Sequence, residues 1–342
     1  MRALIVRLSS IGDVVHTLPV AAVLKAQGWK TTWVVEPSSL PILASNPAVD
    51  RTALAPSARA FRLGVAAAAL RELRADSCDV ALDGQGLWKS AVWARLSGAR
   101  RIVGYARAWR REPASAILLS ETVSLPREAV HVVDKNLGLL RPLGISALGT
   151  RDFPLPPAGE AARAVERRML AAGLEGYLVL NVGGGWTSKL WPPERFGEVA
   201  LGLRRRGLKA LVTWGPGEES LARRAVDASK GSAEKCFPTT LLELVEVLRR
   251  ARLVVSADTG PLHLACAVGV PVVGLYGPTD PSRNGPFAPL DRVVRRTPSC
   301  APCHRRFCPV HDGIMRTIPP EDVLAAVGAR LGEEPGGQSL AL

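Results

Sequence analysis

The 342-residue sequence predicts an α/β protein: two Rossmann-like domains whose parallel sheets face each other across a cleft. Three observations predict it. Short, continuous apolar runs rich in β-branched residues alternate with helical stretches, as in parallel strands buried on both faces. The alternation occurs twice, on either side of a Pro- and Gly-rich stretch. In both halves, glycines and single charged residues collect where a strand gives way to a helix, the edge at which such sheets bind ligands.

In the first half the strands are Ala3–Val6, Thr31–Val35, Val80–Asp83 and Arg101–Gly104, with helices near 18–27, 64–75 and 88–97. The segment "RPLGISALGTRDFPLPPAGE" (141–160) lacks apolar periodicity, so the domain boundary falls there. The expected domains are 1–155 and 156–331, and 332–342, "GEEPGGQSLAL", reads as a disordered tail. The second half opens with "YLVLNV" (177–182), followed by a helix near 193–206, "KALVTW" (209–214), and helices near 217–229 and 241–251. "LVVSAD" (253–258), a helix from about 260 to 268 and "PVVGLYG" (271–277) complete it.

Composition narrows the function classes. No apolar run reaches the 18 residues of a membrane span, and "MRALIV" is too short for a signal peptide, so a soluble cytoplasmic protein is expected. Lys and Arg number 44 against 31 Asp and Glu, a net charge of +13. That excess suits an anionic partner: a phosphorylated substrate, an acidic membrane surface or nucleic acid. With 5% aromatics and no long basic block, nucleic acid is not expected. Cys78, Cys236 and Cys266 lie in apolar or helical contexts and read as buried thiols.

Two segments carry chemistry in the second half. In "NVGGGWTSKLWPPERF" (181–196), Gly184 and Gly185 let backbone N–H groups approach an anion, Thr187 and Ser188 offer hydroxyls, and Lys189 offers a mobile charge. The same residues would also make a plain surface turn. In "SADTGPLHLACAVGVPVVGLYGPTDP" (256–281), Asp258, Thr259 and Gly260 end a strand and open a helix whose N-terminus suits phosphate, with His263 in its first turn. Asp258 could equally serve only as a helix cap. On the same rim, "TWGPGEES" (213–220) offers Glu218 or Glu219 to ribose hydroxyls. In the first half, "VRLSSIGDVVHTLP" (6–19) sets one carboxylate, Asp13, at the first strand-to-helix turn, where a helix cap is the alternative to a catalytic base.

Taken in order, "SSIGDVVHTLP", "DGQGLWKSA" (83–91), the Lys189 loop, "WGPGEE" and "DTGPLHLA…YGPTDP" resemble glycosyltransferase family 9, and within it the ADP-heptose:lipopolysaccharide heptosyltransferases. The resemblance spans nearly the whole chain. It implies a GT-B fold with the acceptor on the N-terminal domain and the nucleotide sugar on the C-terminal one. The opening stretch, "DGQGLWKSA" and "RREPAS" (110–115) are most similar to heptosyltransferase I, whereas "CAPCHRRFCPVHDGIM" (300–315) resembles heptosyltransferase II.

The resemblance implies an inverting, metal-independent transfer of heptose from ADP-heptose to the Kdo region of the lipopolysaccharide core. Asp13 would be the general base and Lys189 would stabilise the leaving phosphate. It places Gly184, Gly185, Thr187, Ser188, Lys189, Glu219, Asp258, Thr259, Gly260 and His263 around the donor. Ser10, Gly12, Arg59, Arg62, Arg107, Arg110 and Arg111 fall on the acceptor side. The implied acceptor, Kdo-lipid A, is an anionic glycolipid, so a peripheral position on the inner membrane is expected.

No cofactor is expected, although Cys300, Cys303 and Cys308 with His311 have a spacing that could hold a structural zinc. The rival readings are a family 9 enzyme with another donor or acceptor, including heptosyltransferase II, a GT-B sugar-nucleotide epimerase, and a basic nucleotide- or nucleic-acid-binding protein.

Overall fold

Five-residue runs such as "LVVSA" and "VVGLY" have no polar face to give to water, so they become central strands with helices on both sides. The computed structural model describes residues 1–56, 63–75, 77–303, 305–308 and 313–332. It divides into two compact units, Met1–Pro156 and Pro157–Leu342. Of the expected tail, 332–342, all but Gly332 lies outside the described residues.

Unit 1 comprises β1 (Arg2–Val6), α1 (Ile11–Val15), α2 (Leu18–Ala26), β2 (Lys30–Val35), α3 (Leu40–Leu43), β3 (Arg51–Leu54), α4 (Leu63–Ala75), β4 (Val80–Asp83), α5 (Trp88–Leu96), β5 (Arg101–Tyr105), β6 (Glu121–Val123) and α6 (Val132–Gly138). Among the described residues its sheet has six parallel strands in the order β3-β2-β1-β4-β5-β6. Val6 pairs with Val34 on one side and Asp83 on the other, which aligns the strand ends that bear the polar residues. Leu4, Val6, Val34, Ala81, Ala94 and Ile102 form one side of the core, with Leu73 from α4. Each fully buried Leu, Ile or Val contributes about 1.5–3 kcal/mol.

Unit 2 comprises α7 (Gly159–Ala171), β7 (Leu178–Asn181), α8 (Pro193–Arg205), β8 (Ala210–Thr213), α9 (Glu219–Ala228), β9 (Ala233–Lys235), α10 (Leu241–Arg249), β10 (Leu253–Ala257), α11 (Gly260–Ala267), β11 (Val272–Tyr276), α12 (Pro281–Asn284), β12 (Arg292–Arg295) and α13 (Pro320–Leu331). Its described sheet is also six-stranded and parallel, in the order β12-β11-β10-β7-β8-β9. This is the same winding as in unit 1, displaced along the chain. Trp191 packs edge-on against Phe196, with ring centroids 4.8 Å apart, inside the core that also holds Val255, Leu275 and Val323. At the start of α10 the Thr240 hydroxyl accepts the Glu243 N–H at 3.2 Å while Glu243 accepts the Thr240 N–H at 2.8 Å, a closed capping box.

In both sheets the strand order reverses beside the first strand, between β1 and β4 and between β7 and β10. A crevice opens at the carboxyl ends of such a pair, because the helices that follow leave toward opposite faces. No helix among the described residues is long and apolar enough to cross a membrane.

Candidate functional site

In unit 1 the reversal brings the loops after β1 and β4 together. Arg7 follows β1 directly and is buried; its Nη2 donates to Asp13 Oδ1 at 2.6 Å, and its Nη1 donates to the Gly84 carbonyl. The Leu8 N–H donates to Gln85 Oε1 at 3.0 Å. Asp13 is the third residue of α1, where its other oxygen accepts the Ser10 N–H at 3.2 Å and the Ser10 hydroxyl at 3.1 Å. It is therefore both the acidic half of a capping pair and a carboxylate whose side chain is 38% exposed. Gly12 is buried within the same turn.

The short α1 is pinned at its far end. The Thr17 hydroxyl bonds back to the Asp13 carbonyl at 2.8 Å, and Asn136 of α6 donates to the His16 carbonyl and to Thr17 Oγ1. Asn136 is itself held by the Tyr105 hydroxyl at 2.7 Å.

Beyond β4, Asp83 Oδ1 accepts the N–H groups of Gln85 and Gly86, and its Oδ2 accepts Arg110 Nη2 at 2.6 Å. Gly86 has φ +71°, a left-handed conformation that glycine adopts without strain. The Asp83 and Arg110 side chains are completely buried, and the added bonds to backbone and to Ser115 offset their desolvation. Arg111 is exposed one residue further on. Arg59 and Arg62 lie outside the described residues.

In unit 2 the reversal joins the glycine loop after β7 to the start of α11. Asp258 is 3% exposed and accepts four hydrogen bonds. Lys189 Nζ and Thr279 Oγ1 reach Oδ2 at 2.6 and 2.7 Å; Asn284 Nδ2 and His263 Nε2 reach Oδ1 at 2.6 and 3.1 Å. Burial opposes its ionisation, but the His263 hydrogen bond and the Lys189 charge outweigh it and hold the carboxyl well below the usual carboxylate range. An ionised Asp258 accepts only, so His263 carries its proton on Nε2. Lys189 also donates to the Asp258 carbonyl at 3.2 Å and lies 4.6 Å from the centre of the Trp186 ring.

The glycine loop is fixed from beneath. Asn181 at the end of β7 donates to the Gly183 carbonyl at 3.0 Å and to Ser256 Oγ at 3.2 Å. Glu218 bridges two loops, accepting the Gly184 N–H and the Gly215 N–H at 2.8 Å each. A Cβ on Gly184 would lie 2.6 Å from Thr259 Cγ2, so only glycine lets this loop approach α11 so closely. Nothing lies within 4 Å of the corresponding point on Gly185. Thr259 precedes α11 as its N-cap, and Gly260 opens the helix.

The expected donor residues divide into two groups. Gly184, Lys189, Asp258, Thr259, Gly260 and His263 come together at the reversal of unit 2. Thr187 and Ser188 instead donate their hydroxyls to the carbonyls of Arg306 and Arg305, tying their turn to the segment after Cys303. Glu219 faces the other way, paired with Arg223 and Lys235 at 2.9 and 2.6 Å, and it is Glu218 that reaches the glycine loop.

Cys78, Cys236 and Cys266 are buried, as expected, while Cys300, Cys303 and Cys308 are more exposed. Among the described residues no three His, Cys, Asp or Glu side chains are grouped to hold a metal; His311 lies outside those residues.

Several contributors were not anticipated from the sequence. Arg7, Asp83 and Thr279 stand inside or beside motifs that the sequence marks, each at a strand end. Asn284 has no motif around it. Arg110, by contrast, was expected as an acceptor contact; it is instead buried and paired with Asp83.

Residues 66–312 match the sequence model of glycosyltransferase family 9 (heptosyltransferase). The lipopolysaccharide heptosyltransferase 1 of Pseudomonas aeruginosa is 32% identical over 319 residues, covering 90% of this chain and 87% of that protein. The structure of E. coli heptosyltransferase WaaC with ADP matches with a TM-score of 0.78 and 27% identity over 96% of this chain and all of that one. WaaC with ADP-2-deoxy-2-fluoro heptose matches with a TM-score of 0.74 over 96% of this chain and 99% of that one. Two doubly wound units, each with a polar cluster at its strand-order reversal, together with these matches define a glycosyltransferase of GT-B fold. The chain belongs to glycosyltransferase family 9.

Proposed function

We propose that the protein transfers a heptose from ADP-heptose to the Kdo region of lipopolysaccharide, with inversion at the anomeric carbon. The observation that carries this reading is the Lys189–Asp258 cluster beside a glycine loop and a helix N-terminus, at the strand-order reversal of unit 2. This suits a diphosphate: the N-terminus of α11 and the Lys189 ammonium both favour negative charge. The similarity to WaaC with ADP and with a fluorinated ADP-heptose supports the same class of donor. Asp258 takes two of the three Lys189 N–H donors, holding the ammonium in place with one donor left for phosphate.

Asp13 is the base in this mechanism. The acceptor hydroxyl attacks the anomeric carbon, its proton passes to Asp13, and the bond to the phosphate oxygen breaks with its electrons leaving on ADP. Arg7 and Ser10 fix the carboxylate for that transfer. General-base assistance contributes roughly 10²–10⁴-fold. Lys189 and α11 stabilise the charge on the departing ADP, so the chemistry is written without a metal ion. The acceptor is an anionic glycolipid, Kdo-lipid A, and the enzyme works as a peripheral protein at the inner membrane. Arg107 and Arg111 are its candidate contacts among the described residues.

The test is to incubate the protein with ADP-heptose and Kdo-lipid A and to follow ADP release and product mass. One heptose added per ADP released is expected, undiminished by a chelator, and NMR of the product should show an inverted anomeric centre. Asp13→Ala should lower turnover roughly 10²-fold or more with ADP affinity unchanged. Lys189→Ala should weaken donor binding and slow the reaction together. Near-normal turnover of Asp13→Ala would remove that residue from the mechanism, and conversion of the nucleotide sugar without acceptor would overturn the transferase reading.

A further inference from the structure

Most of the large apolar side chains exposed among the described residues lie on unit 1, and several share one surface. α5 turns Ala91 and Ala94 into the core, while Trp88, Val92 and Leu96, four residues apart, form a stripe on its outer face. The 3-10 turn Pro113–Leu118 packs against α5 and carries Ile117, which is 80% exposed. The 3-10 turn Arg107–Trp109 packs on that turn in its own right. Arg95 on α5, Arg107 on the second turn and Arg111 between the two turns are exposed, and none of them makes an ion pair with another described residue. Isolated exposed leucines are ordinary, but an apolar stripe bordered by unneutralised arginines marks an interaction surface.

From this surface we infer that unit 1 seats on an anionic lipid bilayer through the outer face of α5 and the turn that carries Ile117. A stripe with tryptophan at one end and arginine alongside is the pattern of an element lying in the membrane interface. The tryptophan sits at headgroup level, the aliphatic side chains enter the acyl boundary, and the guanidinium groups meet lipid phosphates. The charge excess of the chain favours this partner over another protein surface of the same sign.

The position of α5 adds a second argument. Its first turn borders the candidate site: Lys89 lies 2.8 Å from Glu36 and 3.5 Å from Ser9 Oγ, and the Trp88 N–H donates to Glu112 at 2.6 Å. A glycolipid anchored in a bilayer beneath α5 would thus present its sugar beside Ser10 and Asp13. This deepens the reading of a lipid-linked acceptor, but its test uses neither donor nor acceptor.

The test is sedimentation of the full chain with vesicles of phosphatidylcholine alone or with one quarter phosphatidylglycerol, at about 0.05 and about 0.15 M salt. Binding to the anionic vesicles that weakens with salt is expected. Val92→Glu and Ile117→Glu, both on exposed positions, should each reduce it roughly tenfold, and Arg95→Glu by a similar factor. Circular dichroism and ADP affinity of the three variants should match the parent, which separates loss of docking from loss of folding. Absence of vesicle binding, binding indifferent to all three substitutions, or a parent dimer that Val92→Glu splits without lipid would each overturn the inference. The last outcome would make this face a contact between copies of the chain. Transfer to a soluble acceptor tests the catalytic reading separately, since the Asp13 chemistry would survive failure of the docking surface.

Discussion

Asp13 and Asp258 both stand just past a strand end, yet the fold treats them differently. Asp258 is enclosed by Lys189, His263, Thr279 and Asn284, while Asp13 meets Arg7 and Ser10 and keeps part of its side chain in solvent. A buried, fully bonded carboxylate organises its neighbours, and a half-exposed one can exchange a proton. Because the folded-state pKa of Asp258 lies below its unfolded value of about 3.9, its stabilisation is fully present above that pH. As pH falls further, toward the folded-state pKa, the stabilisation is progressively lost. Asp258→Asn leaves the Lys189 charge buried without its partner and should cost about 3 kcal/mol at pH 7 in denaturant unfolding. The gap between parent and variant should narrow at about pH 3; a gap independent of pH would show that the lost ion pair is not its source. Both acids were legible in the sequence because a lone charge between an apolar strand and a helix stands out. The pairing of Asp258 with Asn284 was not, since it depends on where α12 folds back. The resemblance pointed to Glu219, but it is Glu218 that faces the glycine loop, a difference of one residue and little more than a quarter of a helical turn.

At the level of elements, the central strands and the helices that follow them were readable because they are apolar throughout. The outer strands β3, β6, β9 and β12 were not, because "RTAL", "ETV", "AEK" and "RVVR" expose polar residues at the sheet margins and are only three or four residues long. The five-residue α1 escaped notice because a helix this short shows no periodicity; the Ser10–Asp13 bonds and the anchor on Asn136 hold it. The glycine loop was legible as an anion-binding turn, but not which glycine is indispensable. Steric contact decides that. Gly184→Ala drives a methyl group into Thr259 and Leu190, whereas Gly185→Ala meets open space. Overpacking of this size costs about 1–3 kcal/mol. Gly184→Ala should therefore weaken ADP binding roughly tenfold by calorimetry, with Gly185→Ala within about twofold of the parent. Equal effects of the two substitutions would show that the loop does not depend on its approach to α11.

For the whole molecule, two units of one topology carry opposite chemistry at the same topological place. The reversal in unit 1 is built from carboxylates held by buried arginines, and that in unit 2 from a lysine, a glycine loop and a helix N-terminus. Repetition of the winding was visible in the sequence as a repeated alternation of strand and helix. The difference in chemistry was visible in the residues that end each first strand. If unit 2 alone takes the nucleotide, ADP should protect backbone amides there and nowhere else. At about a hundred times its Kd, a ligand raises the free energy of opening by about 2.7 kcal/mol, so amides that exchange by opening the bound segments slow about a hundredfold. In hydrogen exchange of the full chain with ADP, the slowing should fall on residues 183–189, 258–263 and 277–284. Residues 7–13 and 83–87 should exchange as in the free protein, and Asp13→Ala should leave the pattern unchanged. Lys189→Ala should abolish most of the protection at the same ADP concentration. Protection centred on residues 7–13 would transfer the nucleotide to unit 1 and reverse the assignment of donor and acceptor.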